Sequence, residues 1–421
     1  MAVHGVPLGE PIDCFVRDAR TFIWLLERAF KVKKDFLLNI LASLVSVGSI
    51  QLICYPMLSK IMSPSEYGVL LTLMGFSNLV VVVLGNSLNN ARLIRDQSYR
   101  EARVAGDFNP LVIVCSIISL IILAGVAAFF KYDLFNAVLV GIATALTVWS
   151  AYHQVSFRLT INYIKNLAFN VLRAVGYAIG SVVACRLGYW QVSFVIGEVV
   201  GCIYLLFCAR TVSEPYVRTS LFSATFRDFS FVSWGNVANG VMTYVDRFLL
   251  LPLLGATSVA YYTVASYLGK SAGILINPVS SVLLTYFVKD KDKVDRRIFH
   301  KRLFIVAVMS SAMLLFVLLI ARPTLSILYP DLVSGALPYV LPASIAATLG
   351  VVSGTIQPMV LAYAPAYWQT IIQIGYLLIF GFFGLFGISA AGLTGFCFAL
   401  IAANSARVLL MICVTEIALK A

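Results

Sequence analysis

Long apolar runs separated by short polar stretches dominate this chain. Segments 111–130, 303–320 and 371–386 contain no charged residue at all. A helix needs about 17–25 apolar residues to cross a bilayer, and only helices and closed barrels satisfy their backbone groups in lipid. The runs lack the period-two alternation of a barrel strand, so they predict helices. The pattern predicts twelve spans, at 36–58, 67–88, 111–130, 134–154, 167–185, 190–209, 229–254, 258–287, 303–322, 332–362, 366–386 and 389–413. The longest internal connections fall at 89–110, 210–228 and 288–302, and none has room for a soluble domain.

Composition agrees with this pattern. The 421 residues are 60% hydrophobic and 12% charged, against about 45–50% and about 25% in a soluble domain. A net charge of +12 would suggest nucleic acid in a soluble protein. Here the charges sit in the gaps between runs, so they report topology and no nucleic-acid partner is expected. One set of loops holds Arg92, Arg95, Arg158, Arg218 and the basic stretch 289–302, while the opposite loops hold only Lys60, Lys131, Arg186 and Arg322. The bias of roughly six to one places both termini in the cytoplasm. The first apolar run begins after residue 35 and is too long for a signal-peptide core, so no cleavable signal is expected. Residues 13–31 mix apolar and basic positions. They read either as an amphipathic helix on the cytoplasmic leaflet or as a non-native extension.

The chain also looks doubled. YPMLSKIMSPSEYGVLLTLMG, from Tyr55, and LPLLGATSVAYYTVASYLG, from Leu251, share a Pro, a polar turn, a Tyr and a helix rich in small residues. The expected organisation is an all-α integral membrane protein of about twelve transmembrane helices in two six-helix lobes. Residues 1–35 form a cytoplasmic amphipathic segment, 36–209 the first lobe, 210–228 a cytoplasmic linker and 229–421 the second lobe. Two parallel repeats enclosing a central cavity suit a carrier.

Polar residues inside the spans carry the functional signal. The seventh shows Asn236, Asn239, Thr243, Asp246 and Arg247, and the eighth Ser266, Lys270 and Asn277. Helical spacing puts most of each set on one face. Asn and Ser also serve as ordinary helix–helix contacts, whereas buried ions need a stronger reason. Asp246 and Lys270 lie at depths that would let them pair. Arg173 sits shallow enough in the fifth span to snorkel to the surface or to face a cavity. Glu198, within Gly197–Gly201, reads equally as part of a packing motif and as a proton or cation site. Asn39, Ser43, Ser46 and Gln51 form a weaker polar stripe on the first span. The eight cysteines are scattered and His4, His153 and His300 do not cluster, so neither a metal site nor a disulfide framework is expected. No nucleophile motif, carboxylate pair or phosphate-binding loop appears. The chain therefore reads as no enzyme, with no cofactor and no ATP-driven machinery.

Residues 56–70 (PMLSKIMSPSEYGVL), 88–92 (LNNAR), 244–250 (YVDRFLL), Gly255 and Tyr261–Ala265 resemble the signatures of polysaccharide biosynthesis proteins of the O-antigen flippase type. The resemblance implies the two-lobed fold shared with lipid II flippases and multidrug extrusion carriers. It also implies alternating-access translocation of an undecaprenyl-pyrophosphate-linked oligosaccharide across the bacterial inner membrane, through a cationic cavity. Lys270, Arg247, Arg173, Asn236, Asn239 and Asn277 would contact substrate, Asp246 and Glu198 are coupling-ion candidates, and Arg92 would stand at the cytoplasmic mouth. The first two spans have no arginine in their lumenal part, so the cavity's charge would come mainly from the second lobe. Partners implied are the lipid-linked oligosaccharide, membrane lipid, a polysaccharide polymerase and a chain-length regulator. The rival within the fold is an ion-coupled small-cation or drug efflux carrier. A membrane polymerase or ligase would need a large outer loop, which this chain lacks.

Overall fold

The computed structural model describes residues 34, 37–271, 296–365 and 367–419. Among them there is no strand. The expected segment 1–35, Asn277, Pro278 and most of the basic stretch 288–302 lie outside the described residues, as does the side chain of Asn239.

The first lobe comprises α1 (Leu37–Ser59), α2 (Pro64–Ala102), α3 (Phe108–Phe129), α4 (Leu134–Leu159), α5 (Tyr163–Leu187) and α6 (Gln191–Cys208). The second comprises α7 (Phe222–Leu254), α8 (described over 256–271), α9 (Arg296–Leu328), α10 (Val333–Tyr363), α11 (367–390) and α12 (393–418). The last two form one unbroken run of helical hydrogen bonding except at Ala391 and Gly392. Gly392 has φ 57°, which reverses the chain there at little steric cost.

Local chemistry explains where the elements begin. Ser63 caps α2 through a reciprocal capping box with Glu66: Glu66 N–H donates to Ser63 Oγ at 3.3 Å, and Ser63 N–H to Glu66 Oε2 at 2.8 Å. Pro64 occupies the first turn, where its missing N–H costs nothing. The SPSEYG signature is thus a helix start. The expected loop at 89–110 is mostly helix, because α2 continues to Ala102. The reason is charge spacing. Arg92–Asp96 (3.1 Å) and Arg100–Asp96 (2.7 Å) are pairs four residues apart, which sustain a helix beyond its apolar stretch.

The outer faces are apolar and exposed, as a hydrocarbon solvent requires. On α3, Ile113, Ile117 and Ile121 form one exposed row and Val114, Ile118 and Ile122 the next. Phe304, Val308, Leu315 and Leu319 do the same on α9. The lobes meet along α2 and α7, where Phe76 stacks on Phe248 at 4.2 Å. Away from the basic loops, Tyr67, Tyr329 and Tyr267 form an aromatic bridge across the lobes, with centroids 6.2 and 5.9 Å apart.

The linker 210–228 is fastened to the first lobe. Buried Asp107 accepts from Thr219 N–H (2.7 Å), Thr219 Oγ1 (2.5 Å) and Tyr99 OH (2.6 Å). Arg95 pairs with Asp228 at 2.5 Å. A connection that looked like plain linker in sequence therefore docks the start of α7 on α2.

Candidate functional site

A cavity of about 790 Å³ opens inside the first lobe, walled by α1, α2, α4, α5 and α6 and closed on one side by Tyr244 and Arg247 of α7. It runs from Asn39, Asn90, Arg158 and Tyr163, near the basic-loop end, to Tyr55, Trp190 and Phe194 at the far end. Its lining is mainly polar and includes seven asparagines and three glutamines. A lumen of this kind replaces water around hydroxyl-rich solutes, because unpaired polar groups are costly in hydrocarbon.

The first-span stripe supplies much of this surface. Asn39, Ser43 and Ser46 follow helical spacing. Gln51 joins them through a π-helical turn, Ser49–Cys54, which shifts the register. A second π-helical turn, Val82–Asn86, puts Asn86 on the same cavity from α2. Such turns recur where a helix must aim side chains out of regular phase.

Arg173 and Glu198 form the charged centre. Arg173 is only 9% exposed and turns inward rather than snorkelling. Its Nη1 lies 3.5 Å from Glu198 Oε1, its Nη2 donates to Ser46 Oγ, and its guanidinium stands over the Phe169 and Tyr177 rings. Glu198 is 1% exposed and accepts from Ser150 Oγ at 2.9 Å and from Tyr177 OH. Gly176, Gly180 and Gly197 let α5 and α6 approach closely enough for this network, so the glycines do the packing while Glu198 faces the cavity. The Nε of Arg173 has no hydrogen-bond partner among the described residues, which leaves donor capacity for an anion.

Arg247 reaches the same cavity from the second lobe and donates to Leu71 O at 2.9 Å. Arg158 stands at the basic-loop end, donating to Asn89 Oδ1 at 2.7 Å and Asn90 Oδ1 at 3.2 Å. Among the described residues, three arginines thus face one carboxylate across the lining. This corrects the expectation that the second lobe supplies most of the cationic surface, since two of the three come from the first lobe. α1 lines the space with Asn39, Ser43 and Ser46 and α5 with Asn166 and Asn170, whereas the described part of α8 gives Tyr262, Val264, Ala265 and Tyr267 to the buried core. Arg158 had been read as a loop charge. Only the fold shows that α4 carries it back over the cavity.

The remaining candidates lie elsewhere. Lys270 Nζ pairs with Asp246 Oδ2 and stands 5.0 Å from the Tyr262 ring, but neither Lys270 nor Asp246 lines the cavity. Asn236 donates to Ser87 Oγ at 2.9 Å and joins α7 to α2. Arg92 is buried, paired with Glu214 at 2.9 Å and stacked near Tyr99 and Phe108, so it stabilises the linker and is not on the cavity wall. Arg407, on the expected twelfth span, was overlooked in sequence and stands 5.2 Å from the Tyr376 ring. Among the described residues no three His, Cys, Asp or Glu side chains gather as metal ligands would.

The Asp246–Lys270 pair has a testable energetic role. Asp246 is buried but the Lys270 side chain is 41% exposed, so the pair is weaker than a fully enclosed one. Asp246→Asn should cost about 1–2 kcal/mol, reduced from the ~3–5 kcal/mol of an enclosed pair by solvent at the lysine. Adding Lys270→Gln should recover most of it. Thermal unfolding of the purified single and double variants checks this, and equal destabilisation in both would refute the pairing role.

The family described as polysaccharide biosynthesis protein matches residues 57–338, well over half of the chain. The chain belongs to the polysaccharide biosynthesis protein family. Sequence comparison with curated proteins gives no significant match. Among solved structures it is similar to a Vibrio cholerae MATE transporter, VcmN, with TM-score 0.63 and 12% identity, covering 93% of this chain and 98% of that one. An inward-facing multidrug resistance MATE family transporter of the MOP superfamily gives 0.61 and 14%, covering 91% and 96%. The lipid II flippase MurJ in an inward closed conformation gives 0.60 and 13%, covering 92% and 87%. At these identities the likeness establishes the fold, which is a twelve-helix, two-lobed transporter fold.

Proposed function

We propose that this family member is a flippase, with no catalytic chemistry of its own. It moves an undecaprenyl-pyrophosphate-linked oligosaccharide, an O-antigen or related repeat unit, across the bacterial inner membrane by alternating access. The observation that carries this reading is the cavity's charge and polarity: three arginines, one glutamate and ten side-chain amides. Pyrophosphate pairs best with guanidinium groups, and amides and hydroxyls match a glycan. The prenyl tail would stay in the bilayer while the head group occupies the lumen. Arg173 and Arg247 would hold the pyrophosphate. Glu198 would keep Arg173 oriented in the empty carrier and is the candidate coupling site. Both termini would be cytoplasmic, so the cavity would run toward the cytoplasm. A polymerase and a chain-length regulator would act on the product.

The second reading, an ion-coupled exporter of small cations, is favoured by the buried Glu198 and by the likeness to MATE transporters. A net positive lumen disfavours it. Deleting the gene should remove surface glycan and leave drug sensitivity unchanged. The opposite result would establish the exporter. Topology has its own check. A cysteine at position 103, just past the end of α2, should be labelled by an impermeant maleimide only after cells are opened. Labelling in intact cells would invert the orientation.

A further inference from the structure

The far end of the cavity has a chemistry unlike the rest. Tyr55, Tyr177, Phe194 and Trp190 are all buried there. Their rings contact one another in sequence, with Phe194 6.4 Å from Tyr55, 6.0 Å from Tyr177 and 5.9 Å from Trp190. Gln191 begins α6 among them. It is 1% exposed, yet neither its Nε2 nor its Oε1 has a hydrogen-bond partner among the described residues. The residue lines this cavity and also a smaller pocket of about 230 Å³ on the opposite side, so it stands in the wall between two spaces with its amide enclosed in that wall.

A buried amide with both ends unpaired is unfavourable and uncommon, because burial removes water without supplying a partner. Packing does not account for it, since a leucine would fill the same place without that cost. The amide offers two donors and an acceptor in one plane. Adjacent hydroxyls, each able to donate and accept, match that set. The aromatic walls suit a solute with an apolar face. A pyranose ring combines both features: a C–H face and a rim of hydroxyls.

Position supports the same occupant. Glu198, which orients Arg173, is two turns further along α6, roughly 10 Å from Gln191 at 1.5 Å per residue. The aromatic–amide end therefore lies deeper than Arg158 and Arg173 along the path from the basic-loop end, with Arg247 beside Tyr55. A head group entering from that end with its pyrophosphate at Arg173 would carry a sugar ahead of it to this end.

We propose that Gln191, with Trp190, Phe194 and Tyr55, forms a monosaccharide subsite at the head of the cavity, binding one sugar ring of the lipid-linked glycan. The proposal rests on the flippase reading and adds to it where the glycan is recognised. The glycan is read by the first lobe, through one residue that spans the wall toward the far side.

The test uses the full-length protein in lipid nanodiscs, titrated calorimetrically with farnesyl pyrophosphate and with its glucosyl, galactosyl and N-acetylglucosaminyl derivatives. At least one sugar-bearing probe should bind about tenfold more tightly than the bare pyrophosphate, the increment of one to two buried hydrogen bonds. In Gln191→Leu that ratio should fall below about twofold. Phe194→Leu, which removes a wall and keeps the amide, should lower it by a smaller factor and serves if Gln191→Leu does not fold. In Arg173→Gln both affinities should fall together and the ratio should survive. A ratio unchanged in Gln191→Leu, or absent from the wild type across the three sugars, would show that the amide holds only water and would overturn the subsite alone. A wild type that binds no pyrophosphate probe at all would overturn the flippase reading, and the subsite with it.

Discussion

Arg173→Gln should cut surface glycan roughly tenfold to a hundredfold. That is the expected result for the side chain that joins Glu198, the lining carboxylate among the described residues, to a donor with spare capacity. A charge-assisted hydrogen bond contributes about 1.5–3 kcal/mol, so loss of one pyrophosphate contact should slow translocation roughly tenfold to a hundredfold. The complication is structural. Glu198 is 1% exposed, and without Arg173 it keeps only Ser150 and Tyr177 as donors. An unpaired buried carboxylate destabilises the lobe, so the single variant should also accumulate less. The double variant Arg173→Gln with Glu198→Gln, compared with Glu198→Gln alone, separates the two effects. It removes both charges with little change of shape, so it should reach the membrane at the wild-type level and still export at least roughly tenfold less glycan than Glu198→Gln. Membrane abundance and surface glycan, measured together, decide the matter. Export restored in the double variant would show that Arg173 serves only to neutralise Glu198.

Gly68→Ala should prevent the lobes from closing away from the basic loops. A methyl group at Gly68 would fall 1.8 Å from the carbonyl oxygen of Ala256 and 3.0 Å from its Cα. Both are backbone atoms, so no rotamer change relieves the clash, and α2 must move off the start of α8. These are the corresponding places in the two repeats, SPSEYG and GATSVAYY, which meet here across the lobes. Tyr67, next to Gly68, is buried against Tyr329, so the aromatic bridge shifts too. Each lobe keeps its own packing, and the protein should fold and insert. Overpacking typically costs about 1–3 kcal/mol, which biases the closed and open arrangements by roughly fivefold to over a hundredfold. Spin labels at Ile61 and Asp331, exposed on the two lobes at this end, should report a longer distance, and glycan export should fall by a similar factor. An unchanged distance with normal export would place the lobes' contact elsewhere.

Much of this protein was readable as a string. The spans follow from apolar runs, since lipid demands that a helix satisfy its own backbone and present an apolar surface. The Asp246–Lys270 contact followed from depth on neighbouring antiparallel helices, and the structure shows the two side chains paired. The stripe Asn39, Ser43, Ser46 followed from helical period and does line the cavity. The limits are equally specific. Hydropathy stopped the second span at residue 88, but Asp96 pairs with Arg92 and Arg100 and extends the helix to Ala102. Hydropathy detects where lipid ends, and a helix held by charge pairs continues past that point.

What tertiary structure alone decided is which polar residues share a space. Arg158 and Arg92 look alike in sequence, both basic and just past an apolar run. One stands over the cavity with Asn89 and Asn90, and the other is held by Glu214 of the linker. Asn236 and Asn86 are equally intramembrane, yet one joins two helices and the other faces the lumen. Gln191 sits at a helix start where glutamine is unremarked, and its unpaired amide is visible only once five helices surround it. The physical reason is that periodicity describes one helix at a time. A helix has one face that is not turned to lipid, and whether that face meets a neighbour or a void depends on the size of side chains on other helices, far away in the chain.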